Sequence, residues 1–434
     1  MIFNKTKIVC TIGPASKDPT TLEKMVKAGM NAARLNFSHG TYKDKEEVLQ
    51  TIQKVCTKLK TSITTIADLQ GPKLRIGEID GVKNIKKDEL VKFSFNPEEE
   101  EIPLQFDLST YLKKNDRIFL NDGLIELCVE KISQKTIYAK SKNAGTITSN
   151  KGLNVPDTYL EGNTLTKKDL QDAGFALVNN IDYIAMSFVQ SDRDIEKLRQ
   201  IIKNANSKAQ IIAKIESAKA VENLEKIIKA ADAVLVARGD LAIETSASIV
   251  PIIQQKITFL ARQYKKPVIV ATHMLESMTE NPRATRAEVS DVANAVMNQV
   301  DAVMLSAESA SGKYPTEAVT VMHDIIKSVE ENPDFKHYIK IDWTSIPQEE
   351  MTYNALTSSA ASIAYRLDAK FLIVATATGR NAKIISSFRP SANIIAVTHN
   401  DDVARKLDLV WGTKAIIVKP EENSDVFWNN ILLE

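Results

Sequence analysis

Short, continuous apolar runs recur along most of this chain, and each is followed by a stretch with helical spacing. The runs are Thr6–Ile12, Ala32–Phe37, Thr64–Leu69, Tyr183–Phe188, Gln210–Ile215, Ala233–Arg238, Pro267–Thr272 and Ala302–Ala307. Runs without alternation are what strands covered on both faces look like. Between them the helical signals are local: Asp18 is placed to cap a helix ended by Gly29, and Ser191 to cap another. Strand then helix, eight times over, closes as a (β/α)8 barrel, with a doubly wound open sheet as the rival.

One connection breaks the rhythm. About 110 residues separate the third run from the fourth, far more than a barrel loop needs. Residues 71–156 alternate apolar and polar positions (LVKFSF, RIFL, LIELCVEKI, TIYAKSK) and are punctuated by DG, NDG and NAG turns. This predicts a small inserted antiparallel β domain, a β-barrel lid over the loop face of the larger barrel. Beyond Asn332 a polar, acidic stretch reads as a linker to a shortened C-terminal α/β domain, with strands at FLIVAT, NIIAVT and AIIVK. The division is then 1–70 with 157–332 as barrel, 71–156 as lid and 333–434 as the C-terminal unit.

Composition narrows the class. With 44% hydrophobic and 26% charged residues the chain can build a core. Fifty-six Lys and Arg against fifty-five Asp and Glu give a net charge of +1, which argues against a nucleic-acid partner. Cys10, Cys56 and Cys128 are too few and scattered for a disulfide scaffold or cysteine zinc site, and no run reaches the roughly 18 apolar residues of a membrane span. The expectation is a cytoplasmic protein without a membrane partner. His323, His337 and His399 show no ligand spacing.

A barrel of this kind gathers its chemistry at the C-terminal ends of its strands. There the chain places Arg34 to His39, Asp68, Lys214 with Glu216, Arg238-Gly239-Asp240, Thr272-His273 and Glu308. Lys214 and Glu216, two apart on a strand, share a face. Glu216 and Asp240, without a Cys or His cluster, form a hard oxygen pair suited to Mg²⁺ or Mn²⁺. Lys214 and Arg34 add positive charge, and the turn opening at Gly239 offers free N–H groups to an anion. The residues alone point to phosphoryl transfer or enolate chemistry.

At these positions the chain resembles pyruvate kinases. The likeness rests on TKIVCTIGPAS, GMNAARLNFSHG, AKIES, VARGDLAIE, ATHMLESM and TRAEVSDVANAV, in order along nearly the whole chain. It implies transfer of the phosphoryl group of phosphoenolpyruvate to ADP, the final step of glycolysis, with Mg²⁺ (or Mn²⁺) held by Glu216 and Asp240. Lys214, Thr272 and Arg34 match catalytic positions, and Gly239 and Asp240 the substrate carboxylate cradle. Asn36, Phe37, Ser38, His39, Arg75 and Lys151 match nucleotide contacts. Asn36, Ser38, Asp68 and Leu69 match a monovalent-cation site. Lys73 stands where K⁺-dependent members carry Glu, so K⁺ is not expected to be required.

The departures are small in the barrel: Ala307 and Ser309 replace Gly and Thr, and Gln190 replaces a frequent Arg. In the C-terminal unit Thr376–Asn381 resembles an effector-phosphate loop, with Asn381 where a hydroxyl residue is usual. The chain stops several dozen residues short of the usual family end. That leads to the expectation that fructose 1,6-bisphosphate leaves activity unchanged, and it weakens the implied homo-tetramer. Two other readings compete: an aldol or mutase barrel, which would need no ADP lid, and a silent regulatory paralogue, which would not need the complete Arg34, Lys214, Glu216, Asp240 and Thr272 set.

Overall fold

The computed structural model describes all residues except 1–2, 99, 122, 159–163, 333–347 and 420–434. The expected linker core, His337 and the chain's last residues therefore lie outside the described residues. All eight apolar runs are strands: Lys7–Thr11, Met30–Asn36, Thr64–Asp68, Tyr183–Met186, Gln210–Ile215, Ala233–Ala237, Val268–Ala271 and Ala302–Leu305. They pair in parallel with their chain neighbours, and the eighth closes on the first in the register Lys7↔Ala302, Val9↔Met304. The rival open sheet is thereby excluded.

Burial on both faces explains why the runs do not alternate. Inside the barrel Val9, Ala32, Ile66, Tyr183, Ile212, Leu235 and Ile269 fill one cluster. On the outside Ile8, Leu35, Ile184, Ile211 and Val234 pack against the helices. Asp18 caps the helix Pro19–Lys27 by accepting from the Thr20 and Thr21 N–H groups, and Gly29 follows that helix at φ +119°. Ser191 precedes Asp192–Asn204, where its N–H donates to Asp194 Oδ2 at 2.9 Å.

The insert has its own core, with Phe93, Ile118, Leu127, Val129 and Ile137 fully enclosed. It is built in two pieces. A six-strand sheet contains Leu90–Ser94, Arg117–Leu120, Ile125–Ser133 and Thr136–Ser141, while Lys83–Ile85 pairs separately with Gly145–Ile147. The sheet is mixed rather than wholly antiparallel, because Leu90–Ser94 runs parallel to Ile102–Pro103. The alternation in sequence cannot reveal that pair, since a two-residue strand carries no period.

In the C-terminal unit three parallel strands, Phe371–Ala375, Asn393–Thr398 and Thr413–Ile417, pack with the helices Gln348–Arg366, Arg380–Ser387 and Asp401–Leu407. The last helix escaped the sequence reading. Its signal is Asn400, whose side chain accepts from the Asp402 and Val403 N–H groups. This unit docks on the barrel's base, where Leu409 joins the interior cluster. Among the described residues, no helix is long and apolar enough to cross a membrane.

Candidate active site

Strands two, three and five carry the centre of the site. Arg34 and Asp68 sit on paired strands, in a ladder that sets Asn36 opposite Asp68. The Arg34 Nε donates to Asp68 Oδ2 at 2.7 Å and its Nη1 to Thr11 Oγ1 at 2.9 Å, which fixes the guanidinium plane from two sides. Lys214 Nζ lies 2.9 Å from Glu216 Oε1 and 3.2 Å from Asp68 Oδ1, and it donates to Ser187 Oγ at 2.7 Å. The contact with Asp68 Oδ1 has ion-pair distance without hydrogen-bond geometry, so that oxygen keeps an open acceptor.

The charges are mutually supported. Burial works against the Lys214 ammonium, but Asp68 and Glu216 outweigh it and hold its pKa above the ordinary lysine value. Burial also opposes ionisation of Asp68, yet Lys214 and Arg34 keep its carboxyl below the usual aspartate range. Glu216 is pushed up by burial; Lys214 offsets this in part, while the neighbouring Asp240 carboxylate adds to it. One oxygen of Glu216, Oε2, accepts from the Phe188 N–H at 2.7 Å.

Asp240 differs from these. Among the described residues its carboxylate has no hydrogen-bond or ion-pair partner, although it is close enough to Glu216 to raise that group's pKa. A carboxylate that raises its neighbour's pKa and has no partner of its own leaves a deficit that a divalent cation fits. No group of three or more potential metal ligands occurs among the described residues, so such a cation would take its other oxygens from water or substrate.

Thr272 occupies a backbone conformation rare for a β-branched residue, φ +76°, and His273 follows at +54°. Arg238 holds that turn: its Nη2 donates to the Thr272 carbonyl at 2.6 Å and its Nε to Ala271 O at 3.2 Å, while Nη1 is braced by Asp291 Oδ1 at 2.8 Å. Gly239 lets the helix Arg238–Glu244 approach, since a Cβ there would lie 2.9 Å from Thr272 Cγ2.

The expected nucleotide contacts divide between the barrel rim and the lid. Ser38 and His39 are exposed, and Asn36 Oδ1 accepts from the Ser38 N–H at 3.0 Å. Phe37 is not on the open face: its ring is buried against Tyr42 and Phe175, its N–H donates to Asp68 O, and its carbonyl accepts from Lys168 Nζ. Its role in this geometry is to anchor the turn that presents its neighbours. On the lid, Arg75 Nη1 donates to Asn150 O at 2.8 Å and the Ile76 N–H to Lys151 O at 3.1 Å, so Arg75 and Lys151 share one corner. Lys73 lines the cleft between lid and barrel with Asn154, Phe188 and Glu244.

Two participants were missed in the sequence. Ser187, 2% exposed, accepts from Lys214 and donates to Leu69 O at 2.7 Å, joining strands three, four and five. Glu244 accepts from Asn154 Nδ2 at 2.9 Å across the lid junction, and burial pushes its pKa up to about 7. A serine at a strand end carries no local signal of that kind.

Residues 3–319 match the family described as pyruvate kinase, barrel domain, and residues 354–433 match pyruvate kinase, alpha/beta domain. A pyruvate kinase of Staphylococcus aureus strain MRSA252 is 39% identical over 436 aligned residues, covering 99% of this chain and 74% of the relative. That of strain COL aligns with the same identity and coverage. A solved pyruvate kinase from Cryptosporidium parvum superposes with a TM-score of 0.92 at 34% identity, covering 99% of this chain and 90% of that one.

Proposed function

Since this chain belongs to the pyruvate kinase family, a family of phosphotransferases, we propose that it moves the phosphoryl group of phosphoenolpyruvate to ADP at the strand ends where Arg34, Lys214, Glu216 and Asp240 meet. The observation that carries this reading is the charge arrangement. Lys214 is held protonated between Asp68 and Glu216, and Arg34 is locked by Asp68 and Thr11. Both cations are oriented before substrate arrives, so they stabilise charge on the transferring group without reorganising. Glu216 and Asp240 would hold Mg²⁺ (or Mn²⁺), which when bound supplies a Lewis acid to the substrate's oxygens.

In this reading the N–H groups of Gly239 and Asp240, in a first helical turn, receive the substrate carboxylate. Thr272, fixed by Arg238, faces the step in which the enolate gains a proton. Asn36, Ser38, His39, Arg75 and Lys151 receive the nucleotide as residues 71–156 swing over the face. On this reading the reaction is the last step of glycolysis and the protein works in the cytoplasm. Homo-oligomerisation accords with the apolar residues Leu356 and Ile363, exposed at 65% and 56% on the helix Gln348–Arg366.

The test is direct. Purified protein given phosphoenolpyruvate and ADP should form pyruvate and ATP in equal amounts, and chelation of the divalent cation should abolish both. Pyruvate formed without ATP would overturn the assignment.

We further propose independence from K⁺. Asn36, Ser38, Asp68 and Leu69 match the cation site, and the lysine at position 73 supplies a fixed positive charge in place of a bound monovalent ion. Near-full activity in buffer free of K⁺ is the expected result, and Lys73→Glu should make activity depend on added K⁺. A parent enzyme inert without K⁺ and rescued tens-fold by it would defeat the proposal.

A further inference from the structure

Phosphoryl transfer between a nucleotide held by the lid and a substrate held by the barrel needs the two bodies in one fixed relation. One barrel helix supplies a place where they touch. The helix Arg238–Glu244 carries Asp240 in its first turn and ends, about 10 Å along by the helical rise, in Glu244. Both of its ends are tied. Arg238 donates to the Ala271 and Thr272 carbonyls, and Leu241 is fully buried. Beyond Glu244, the Thr245 N–H and Oγ1 both donate to Leu241 O, at 2.9 and 2.6 Å. A helix this short and this firmly held has little room to bend.

The lid sits on the far end of that helix at two points. Asn154 Nδ2 donates to Glu244 Oε1 at 2.9 Å, and Asn154 is 8% exposed. One residue earlier, Ile243 packs so closely on Gly123 that a Cβ there would lie 3.3 Å from Ile243 Cγ1. Asn154 is itself fixed within the lid, on the strand Leu153–Asn154, which pairs with Leu120 and Phe119 of the six-strand sheet. The corner assigned to the nucleotide hangs on the same segment: Gly152 pairs with Arg75, and Lys151 O accepts from the Ile76 N–H at 3.1 Å. Lys151 stands three positions before Asn154, and Asp240 four before Glu244. Glu244 also feels the carboxylates at the other end of its helix. Burial raises its pKa, the hydrogen bond from Asn154 opposes that, and Asp240 and Glu216 add to the rise.

We propose that Glu244 is a positioning residue for the transfer, the seat on which Asn154 sets the lid's Arg75 and Lys151 against the helix that carries Asp240. The proposal rests on the reaction assigned above. Its physical basis is the steepness of transfer with distance, since a misplacement of about 1 Å can cost roughly 10²-fold in rate. A lid pivoting on its chain connections can stop at many angles. The apolar contact of Gly123 with Ile243 permits sliding, whereas a hydrogen bond between one amide N–H and one carboxylate oxygen is directional and selects one angle. Neither Glu244 nor Asn154 is assigned to substrate, so losing their contact acts through Arg75 and Lys151.

ADP binding by the intact chain, followed by calorimetry with Mg²⁺ present, tests this. Glu244→Ala and Asn154→Ala should each weaken it about tenfold, the scale of one hydrogen bond to a charged acceptor. Phosphoenolpyruvate binding, assigned to Arg34, Lys214 and Asp240, should stay close to the parent. The double variant should bind ADP no more weakly than either single one, because both changes break the same contact. Glu244→Gln keeps an acceptor oxygen, should bind ADP close to the parent, and controls for folding. Unchanged ADP binding in both Ala variants, additive losses in the double variant, equal loss of ADP and phosphoenolpyruvate binding, or a parent that binds no ADP would each overturn the proposal. Turnover of the parent is scored separately: absence of ATP formation defeats the assigned reaction, while the ADP titrations still decide whether Glu244 seats the lid.

Discussion

Replacing Lys214 by Met is expected to lower turnover by about 10²–10³-fold, the scale for removing one oriented donor from a developing charge. The substitution keeps most of the stem's volume and deletes the ammonium that now bridges Glu216 at 2.9 Å and Ser187 at 2.7 Å. Substrate affinity should fall much less, because Arg34 remains locked by Asp68 and Thr11 and still meets the phosphate of the ground state. The signature is therefore a loss concentrated in kcat with KM little changed. Steady-state kinetics decide it, with Lys214→Arg as a companion that restores charge but not its position. A Met variant within a few-fold of the parent would remove Lys214 from the chemical step.

The largest effect on stability should come from the base of the barrel, where Asp301→Ala is expected to cost about 3–5 kcal/mol. Asp301 and Arg389 are 5% and 2% exposed. Truncating the aspartate strands the guanidinium beside Arg262 and leaves the Val268 and Trp411 N–H groups without their acceptor. Both groups belong to the seam between barrel and C-terminal unit, so that seam should open first. Denaturant unfolding followed by Trp411 fluorescence would report it, as would earlier proteolysis within residues 348–419. Pairing the change with Arg389→Met should recover part of the loss, because removing both partners avoids an uncompensated buried charge. A single substitution with less than about 1 kcal/mol of effect would place Asp301 among ordinary surface pairs.

The eight barrel strands, the main strands of the lid and the positions of Arg34, Lys214, Glu216 and Asp240 are legible in the chain itself. Each rests on a local property: an unbroken apolar run, a period of two, or a charged residue two places from another on a strand. The resemblance then gives those residues roles that spacing alone leaves open between phosphoryl transfer and enolate chemistry. Other features wait on closure of the fold. Ser187 gains its place between Lys214 and Leu69 only when strands three, four and five align. Thr272 takes its left-handed backbone where Arg238, from the preceding strand end, reaches its carbonyl. Phe37 belongs to a core that Phe175 completes from far along the chain. Arg262 and Lys383, more than a hundred residues apart, come to line one cleft at the barrel's base, and no window of sequence contains both. Local pattern determines which segments become strands and helices, because that preference is set by near neighbours. Which side chains then share a dry space is decided by register and docking, whose energies come from contacts between distant segments.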